Sequence, residues 1–316
     1  IDADQDHHLW SQKWDKNLED IFDVQDEVSS SIAAQVNPTL EIYERDKIEK
    51  TKPSNFNAWE TYLKSLQIFN NRNPLDHQDA ELNQAKSLCE RAIELDPLMS
   101  HAHSLYAQIC MWELLQLASD DSKKKLNEIL QYAKKAEELD PKNPVAAAMN
   151  AAHYFFLGDF TKARLYAERS IQLNPSYPLG HMFLGQSLVH SGNFKESETC
   201  FYKAHELNPL DPKSIQYKDG LFFAQMGLGN YEKAYDWIEE CILQFSKAGF
   251  YKGFRASVLG YLGRMEEANA ALDDYLALRP NLKTKKDYKK IFIPNSSLAD
   301  ILIEGLIKAG WEPEGE

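Results

Sequence analysis

The sequence predicts an all-α protein, a solenoid of about six helix-turn-helix repeats, and three observations predict it. Gly158, Gly192, Gly229 and Gly263 recur 34, 37 and 34 residues apart, and each is followed two residues on by Phe160, Phe194, Tyr231 or Met265. Five residues after each glycine stands Ala163, Ser197, Ala234 or Ala268, and four further on Ala167, Phe201, Ile238 or Leu272. Seventeen residues after each glycine stands Pro175, Pro209, Ser246 or Pro280. A period of this length marks stacked two-helix units that bury their apolar faces against one another.

Each feature has a mechanical reason. A glycine ends the first helix of a pair in the left-handed conformation without a steric penalty. The large residue after it packs back into the pair. A small residue in the second helix lets two backbones approach closely. Proline stops that helix and suits the start of the next. Asp96-Pro97, Asp140-Pro141, Asn174-Pro175 and Asn208-Pro209 are turn signals between units.

The pattern extends upstream. Counting back from Pro97 puts Ala85, Cys89 and Ala92 in the second-helix slots, and counting back from Pro141 puts Ile129, Ala133 and Ala136 there. Pro97 and Pro141 are 44 residues apart, and the excess is expected between helices, around Ala118 to Lys125. A second long connection is expected from Asn70 to Gln78.

A 34-residue helix-turn-helix with Ala-x3-Phe/Ala-x2-Ala/Ser-x4-Pro resembles the tetratricopeptide repeat (TPR). The resemblance implies a right-handed TPR superhelix over residues 54–281, in units 54–97, 98–141, 142–175, 176–209, 210–246 and 247–280. The sequence departs from the pattern in places. The fifth unit is three residues longer and carries Ser246 for proline, and Tyr275 is large for a slot that usually holds a small residue.

Composition narrows the function. Of 316 residues, 48 are Asp or Glu and 35 Lys or Arg, a formal net charge of −13. An acidic chain repels phosphate, which argues against nucleic acid or an anionic membrane as its main partner. No apolar run reaches the roughly 18 residues that a membrane span needs, so no membrane insertion is expected. Residues Ile1 to Trp10 show neither the basic start nor the apolar core of a signal peptide. The chain opens without Met, and we read it as a segment of a longer protein.

No chemistry is expected within the chain. Cys89, Cys110, Cys200 and Cys241 form no CxxC pair, and reduced, packed thiols suit a cytoplasmic location. Cys89, Cys110 and Cys241 fall in core slots of the repeats. Phosphate-cradling glycine loops, a Gly-x-Ser-x-Gly elbow and His-Glu-x2-His are all missing from the sequence. His7-His8 and the pair His101 and His103 have the wrong spacing to share a metal on one helix face. His190, just before a turn glycine, is expected as an exposed cap residue. The expectation is therefore no catalytic residue, no metal and no cofactor.

The N-terminal flank, residues 1–53, is expected as the tail of an upstream α/β domain plus a linker helix. Val24, Val28, Ile32, Val36 and Leu40 repeat every four residues, with Asp20 or Asp23 as cap. The string His8-Leu9-Trp10, Trp14-Asp15 and Leu18-x-Asp20-Ile21-Phe22-x-Val24-Gln25-Asp26-Glu27-Val28 resembles a junction in bacterial multidomain regulators. There it joins an α/β domain to a TPR array. The resemblance implies Ile1-Asp2-Ala3 as the end of a last strand. It implies a class III adenylate or guanylate cyclase upstream, or alternatively a winged-helix DNA-binding domain. A free-standing adaptor is the remaining alternative. Residues Leu306 to Trp311 also resemble the C-terminus of the cyclase-type members.

The C-terminal flank, 282–316, holds a basic patch (Lys283, Lys285, Lys286, Lys289, Lys290) and a helix from Leu298 to Ala309, capped by Ser297 and ended by Gly310. Leu298, Ile301, Leu302 and Leu306 make its apolar face, and it is expected to cap the solenoid.

Binding is expected on the concave face that the first helices line. Slots one turn apart nominate Gln108, Met111, Val145, Ala148, Ala152, Phe155, Leu179, Met182, Gln186, Val189, Phe223 and Met226, with His101 and Ser104 beside the first of them. None is Lys or Arg, which disfavours acidic peptide tails. An apolar groove suits an apolar peptide or amphipathic helix. The expected function is thus a protein- or peptide-interaction and regulatory module of a signalling protein. The groove's occupant is a partner or the chain's own C-terminal helix, and a homodimer is a further expectation.

Overall fold

The computed structural model of the chain describes residues 55–72, 80–116, 122–208, 215–245 and 249–315. The chain divides into two compact units, residues 1–59 and 60–316. Of the first unit only 55–59 are described, so the expected strand end, junction and linker helix lie outside the described residues.

The described residues are helical throughout and contain no strand. In order they form α1 (Phe56–Asn71), α2 (Ala80–Leu95), α3 (Ser100–Gln116), α4 (Ser122–Leu139), α5 (Pro144–Phe156) and α6 (Phe160–Leu173). Next come α7 (Pro178–His190), α8 (Phe194–Leu207), α9 (Ile215–Gly227), α10 (Tyr231–Gln244), α11 (Gly249–Leu262) and α12 (Met265–Ala277). α13 (Lys285–Lys290) and α14 (Leu298–Lys308) end the chain. The pairs α3–α4, α5–α6, α7–α8, α9–α10 and α11–α12 pack as hairpins. Each second helix packs on the first helix of the next pair, and α3, α5, α7 and α9 touch in sequence. This is an α-solenoid of helical repeats.

The turn glycines behave as their position requires. Gly158, Gly192, Gly229 and Gly263 have φ of 73°, 85°, 74° and 69°, the left-handed region that ends each first helix. Three of the Asx-Pro turns share one wiring. The Asp96, Asp140 and Asn174 side chains accept the N–H two residues on, at 3.0, 2.9 and 3.0 Å. Their carbonyls accept the N–H three residues on, at 3.2, 3.1 and 3.1 Å.

The small slots of the second helices are the core. Ala85, Cys89, Ala92, Ile129, Ala133, Ala136, Ala163, Ala167, Ala204, Ala234, Ile238, Cys241 and Ala268 are fully buried. Where a slot holds a large ring, the facing first helix gives way. A Cβ on Gly185 would lie 2.9 Å from the Phe201 ring, and one on Gly220 would run into its other side. The oversized Tyr275 is housed likewise, since a Cβ on Gly253 would lie 2.8 Å from its ring. Volume is thus conserved across facing positions rather than within one repeat.

Two boundaries differ from the sequence reading. Ser122 to Lys125, expected in a connection, form the first turn of α4. Their lysines are held there because Lys125 Nζ bridges Glu113 at 2.7 Å and Glu128 at 2.8 Å. Lys285 to Lys290, read only as a basic patch, are the helix α13. A capping box starts it: Thr284 Oγ1 accepts from Asp287 N at 3.1 Å, and Thr284 N donates to Asp287 Oδ2 at 3.1 Å.

Candidate functional site

After α12 the chain doubles back over the first helices. α14 packs on α11 and, more lightly, on α9. Its approach to α11 is close because two glycines meet there. A Cβ on Gly260 would run into the Gly305 carbonyl and lie 2.7 Å from Ala309 N. Ser257 Oγ and Tyr261 Oη donate to the Leu302 and Ile301 carbonyls, each at 3.0 Å. Of the apolar face expected for the helix, Leu298, Leu302 and Leu306 are buried, whereas Ile301 is part-exposed and Ile303 is buried instead.

Residues 291–297, between α13 and α14, cross further back along the array. Asn295, itself left-handed at φ 60°, donates from Nδ2 to the Gly158 carbonyl at 3.4 Å. The Pro294 carbonyl occupies the place that a side chain on Gly158 would need. Ser297 donates to the His190 carbonyl from its backbone N–H at 2.9 Å and from Oγ at 3.0 Å. Ser297 therefore does not cap α14 with its side chain as expected. Its hydroxyl serves the carbonyl left open at the end of α7, and Ser296 Oγ accepts the Leu298 N–H at 3.2 Å instead.

His190 is the centre of this site. It is 2% exposed, which overturns the expectation of an exposed cap. Its ring lies 5.1 Å from that of Phe155, 5.6 Å from Phe160, 6.0 Å from Phe223 and 5.7 Å from Phe292. Nδ1 meets Ser296 Oγ at 2.7 Å. Burial alone drives the imidazole down from 6.5 to about 3, so the ring is neutral at neutral pH. Phe292 extends the aromatic contact to Phe223 at 6.0 Å, Phe254 at 6.4 Å and Tyr288 at 6.1 Å. Lys289 and Asp300 line the same hollow and pair at 2.6 Å.

The structure distributes the nominated groove residues unevenly. Met111, Ala148, Ala152, Phe155, Met182, Val189, Phe223 and Met226 are buried. Gln108, Val145, Leu179 and Gln186 are part-exposed. Of the set, Phe155 and Phe223 come together around His190. Phe254, Phe292 and Ser296 were missed in the sequence reading. The spacing of the first helices carried a signal for Phe254, whereas the other two lie in a segment with no period.

One cluster has the donor types of a metal site. Ligand atoms of Cys110, Glu113 and Glu128 lie within 4.8 Å of one another. The residues present do not favour a cation there. Lys86 Nζ lies 2.8 and 2.9 Å from the two Glu113 oxygens, and Lys125 bridges both carboxylates. Burial raises the Cys110 thiol, which keeps it protonated.

None of the described helices is long and apolar enough to cross a membrane. No family profile matches the chain. The chain is similar to "Putative adenylate cyclase 3" of Rhizobium meliloti (strain 1021), at 28% identity over 144 residues, 46% of this chain and 24% of that protein. The chain thus spans about a quarter of that relative's length. Among solved structures it is similar to the APC/C hetero-tetramer Cut9-Hcn1, with a TM-score of 0.56, 16% identity, and coverage of 90% of this chain and 52% of that one. A thermophilic TPR protein of Thermus thermophilus aligns with a TM-score of 0.47 and 16% identity over 64% of this chain and 98% of its own. With its 34-residue hairpins, left-handed turn glycines and small second-helix slots, the chain has the fold of a tetratricopeptide-repeat α-solenoid.

Proposed function

We propose that this chain is the non-catalytic interaction and regulatory part of a longer bacterial signalling protein whose effector is a class III adenylate or guanylate cyclase. The observation that carries the reading is the 28% identity with the Rhizobium meliloti cyclase over 144 residues, of which this chain covers only 24%. The junction string from His8 to Val28 supports it. The partner's place is the first-helix face, where Gln108, Val145, Leu179 and Gln186 retain exposure. A partner protein or peptide bound there biases the effector, and a second copy of the chain is the alternative occupant. Location in the cytoplasm follows from this reading.

The experiment is the cyclic-nucleotide output of the complete gene product, compared with its Val145→Glu/Leu179→Glu variant. Both side chains are part-exposed, so the added charges disturb the face before the core. The expected outcome is an altered response to cell extract with unchanged folding by circular dichroism. A reading frame without a cyclase domain, or identical output from both proteins, overturns the proposal.

A further inference from the structure

Residues 291–297 lie on the first-helix face as a bound peptide would. They make no helix, and among the described residues the hydrogen bonds that hold them to the array reach two places. These are the Gly158 carbonyl after α5 and the backbone and ring of His190 at the end of α7. One aromatic side chain, Phe292, enters the cluster of His190, Phe223 and Phe254. Meanwhile Ile291, Pro294, Asn295 and Ser297 remain exposed. The helices on either side are anchored differently: α13 by the buried Tyr288, α14 by its glycine contact with α11. The segment can therefore lift while both flanks stay in place.

We propose that residues 291–297 are a displaceable strap, which a partner's extended segment of the same chemistry must lift to reach the face beneath it. That chemistry is an aromatic side chain for the cluster of His190, Phe223 and Phe254, and N–H and hydroxyl donors for the His190 and Gly158 carbonyls. The strap makes the face self-inhibited: the apparent affinity for a partner is the intrinsic affinity multiplied by the fraction of time the strap is lifted. The identity of the displacing partner rests on the interaction reading above, whereas the strap itself does not.

The test has two readouts on the full chain. Hydrogen exchange at the Ser297 amide, which donates to the His190 carbonyl, reports lifting. It is expected to exceed exchange in the middle of α11 by about a hundredfold or more, because local opening needs less free energy than global unfolding. Exchange at the same rate as α11 overturns the strap. Fluorescence anisotropy of a labelled peptide of residues 288–297 reports access. Phe292→Ala, and separately Ser296→Ala/Ser297→Ala, are expected to bind it about tenfold or more tighter than the unaltered chain. The double variant keeps the apolar packing, so the readout survives if Phe292→Ala misfolds. Equal binding by all three proteins also overturns the strap. A Ser297 amide that opens over a face binding no peptide in any of them overturns the interaction reading instead.

Discussion

Acid should weaken this solenoid through His190. The ring is held neutral by burial, near 3 against 6.5 for a free imidazole. Between those values the unfolded chain binds a proton that the native chain refuses. The contribution is therefore complete above about pH 6.5 and is lost as pH falls toward 3. From the two values the loss is about 1 kcal/mol at pH 5.5 and about 3 kcal/mol at pH 4.5. His101, His103 and His153 are also lowered by burial and act with the same sign, so a variant is needed to isolate one ring. His190→Gln keeps a polar partner for Ser296 but cannot titrate. Urea unfolding followed by far-UV circular dichroism gives the stability of both proteins at about pH 7.5 and 5.5. The gap between them should shrink by about 1 kcal/mol on acidification. Parallel pH slopes would refute the argument, because they would mean that His190 charges without leaving its aromatic surroundings.

Three further outcomes follow from the packing. Gly260→Ala forces α11 and α14 apart at the Gly305 carbonyl, and should cost about 1–3 kcal/mol and speed hydrogen exchange in α14 above the rest of the chain. Gly220→Ala drives a methyl into the Phe201 ring with a similar cost of about 1–3 kcal/mol, and Phe201→Leu in the same chain should restore part of it in a double-mutant cycle. Lys125→Met leaves Glu113 and Glu128 facing each other beside Cys110, with Lys86 as the remaining cation. It should lower the urea midpoint by an amount equivalent to about 1–3 kcal/mol, and an unchanged midpoint would show the pair to be better solvated than its part-burial implies.

The repeat was legible because its signals are local and periodic. Gly158, Gly192, Gly229 and Gly263 must adopt positive φ wherever the hairpin turns, and Ala163 or Ala234 must be small wherever two helices cross. Each constraint recurs at a fixed interval, so a wrong register is visible at once. Phe201 and Tyr275 show where this fails. Read within its own repeat Tyr275 is a misfit, and Phe201, though it fills its slot, does not announce the glycines that make room for it. Their accommodation by Gly185, Gly220 and Gly253 lies on other helices and has no fixed sequence distance. The site was harder to read for the same reason. His190 sits next to a turn glycine, where exposure is the reasonable expectation, and what surrounds it comes from Phe155, Phe160 and Phe223 on neighbouring repeats and from a segment whose Ser296 is 106 positions along the chain. Nothing periodic announces Phe292, and its role depends on a chain path that residues 278–290 set.

The hydrogen bonds of the neighbouring strap residues Ser296 and Asn295 join residues 106 and 137 positions apart, in a molecule whose other helix contacts run mostly between near neighbours. A linear array can fold piecemeal, each pair templating the next, and it can fray from either end independently. This chain cannot complete its last contacts until α5, α7, α9 and α11 already stand in register. Closing so long a loop adds entropy that only a finished template offsets. The seated segment thus acts as a latch on assembly. While seated, it ties the fraying of the C-terminal pairs to the integrity of the middle ones.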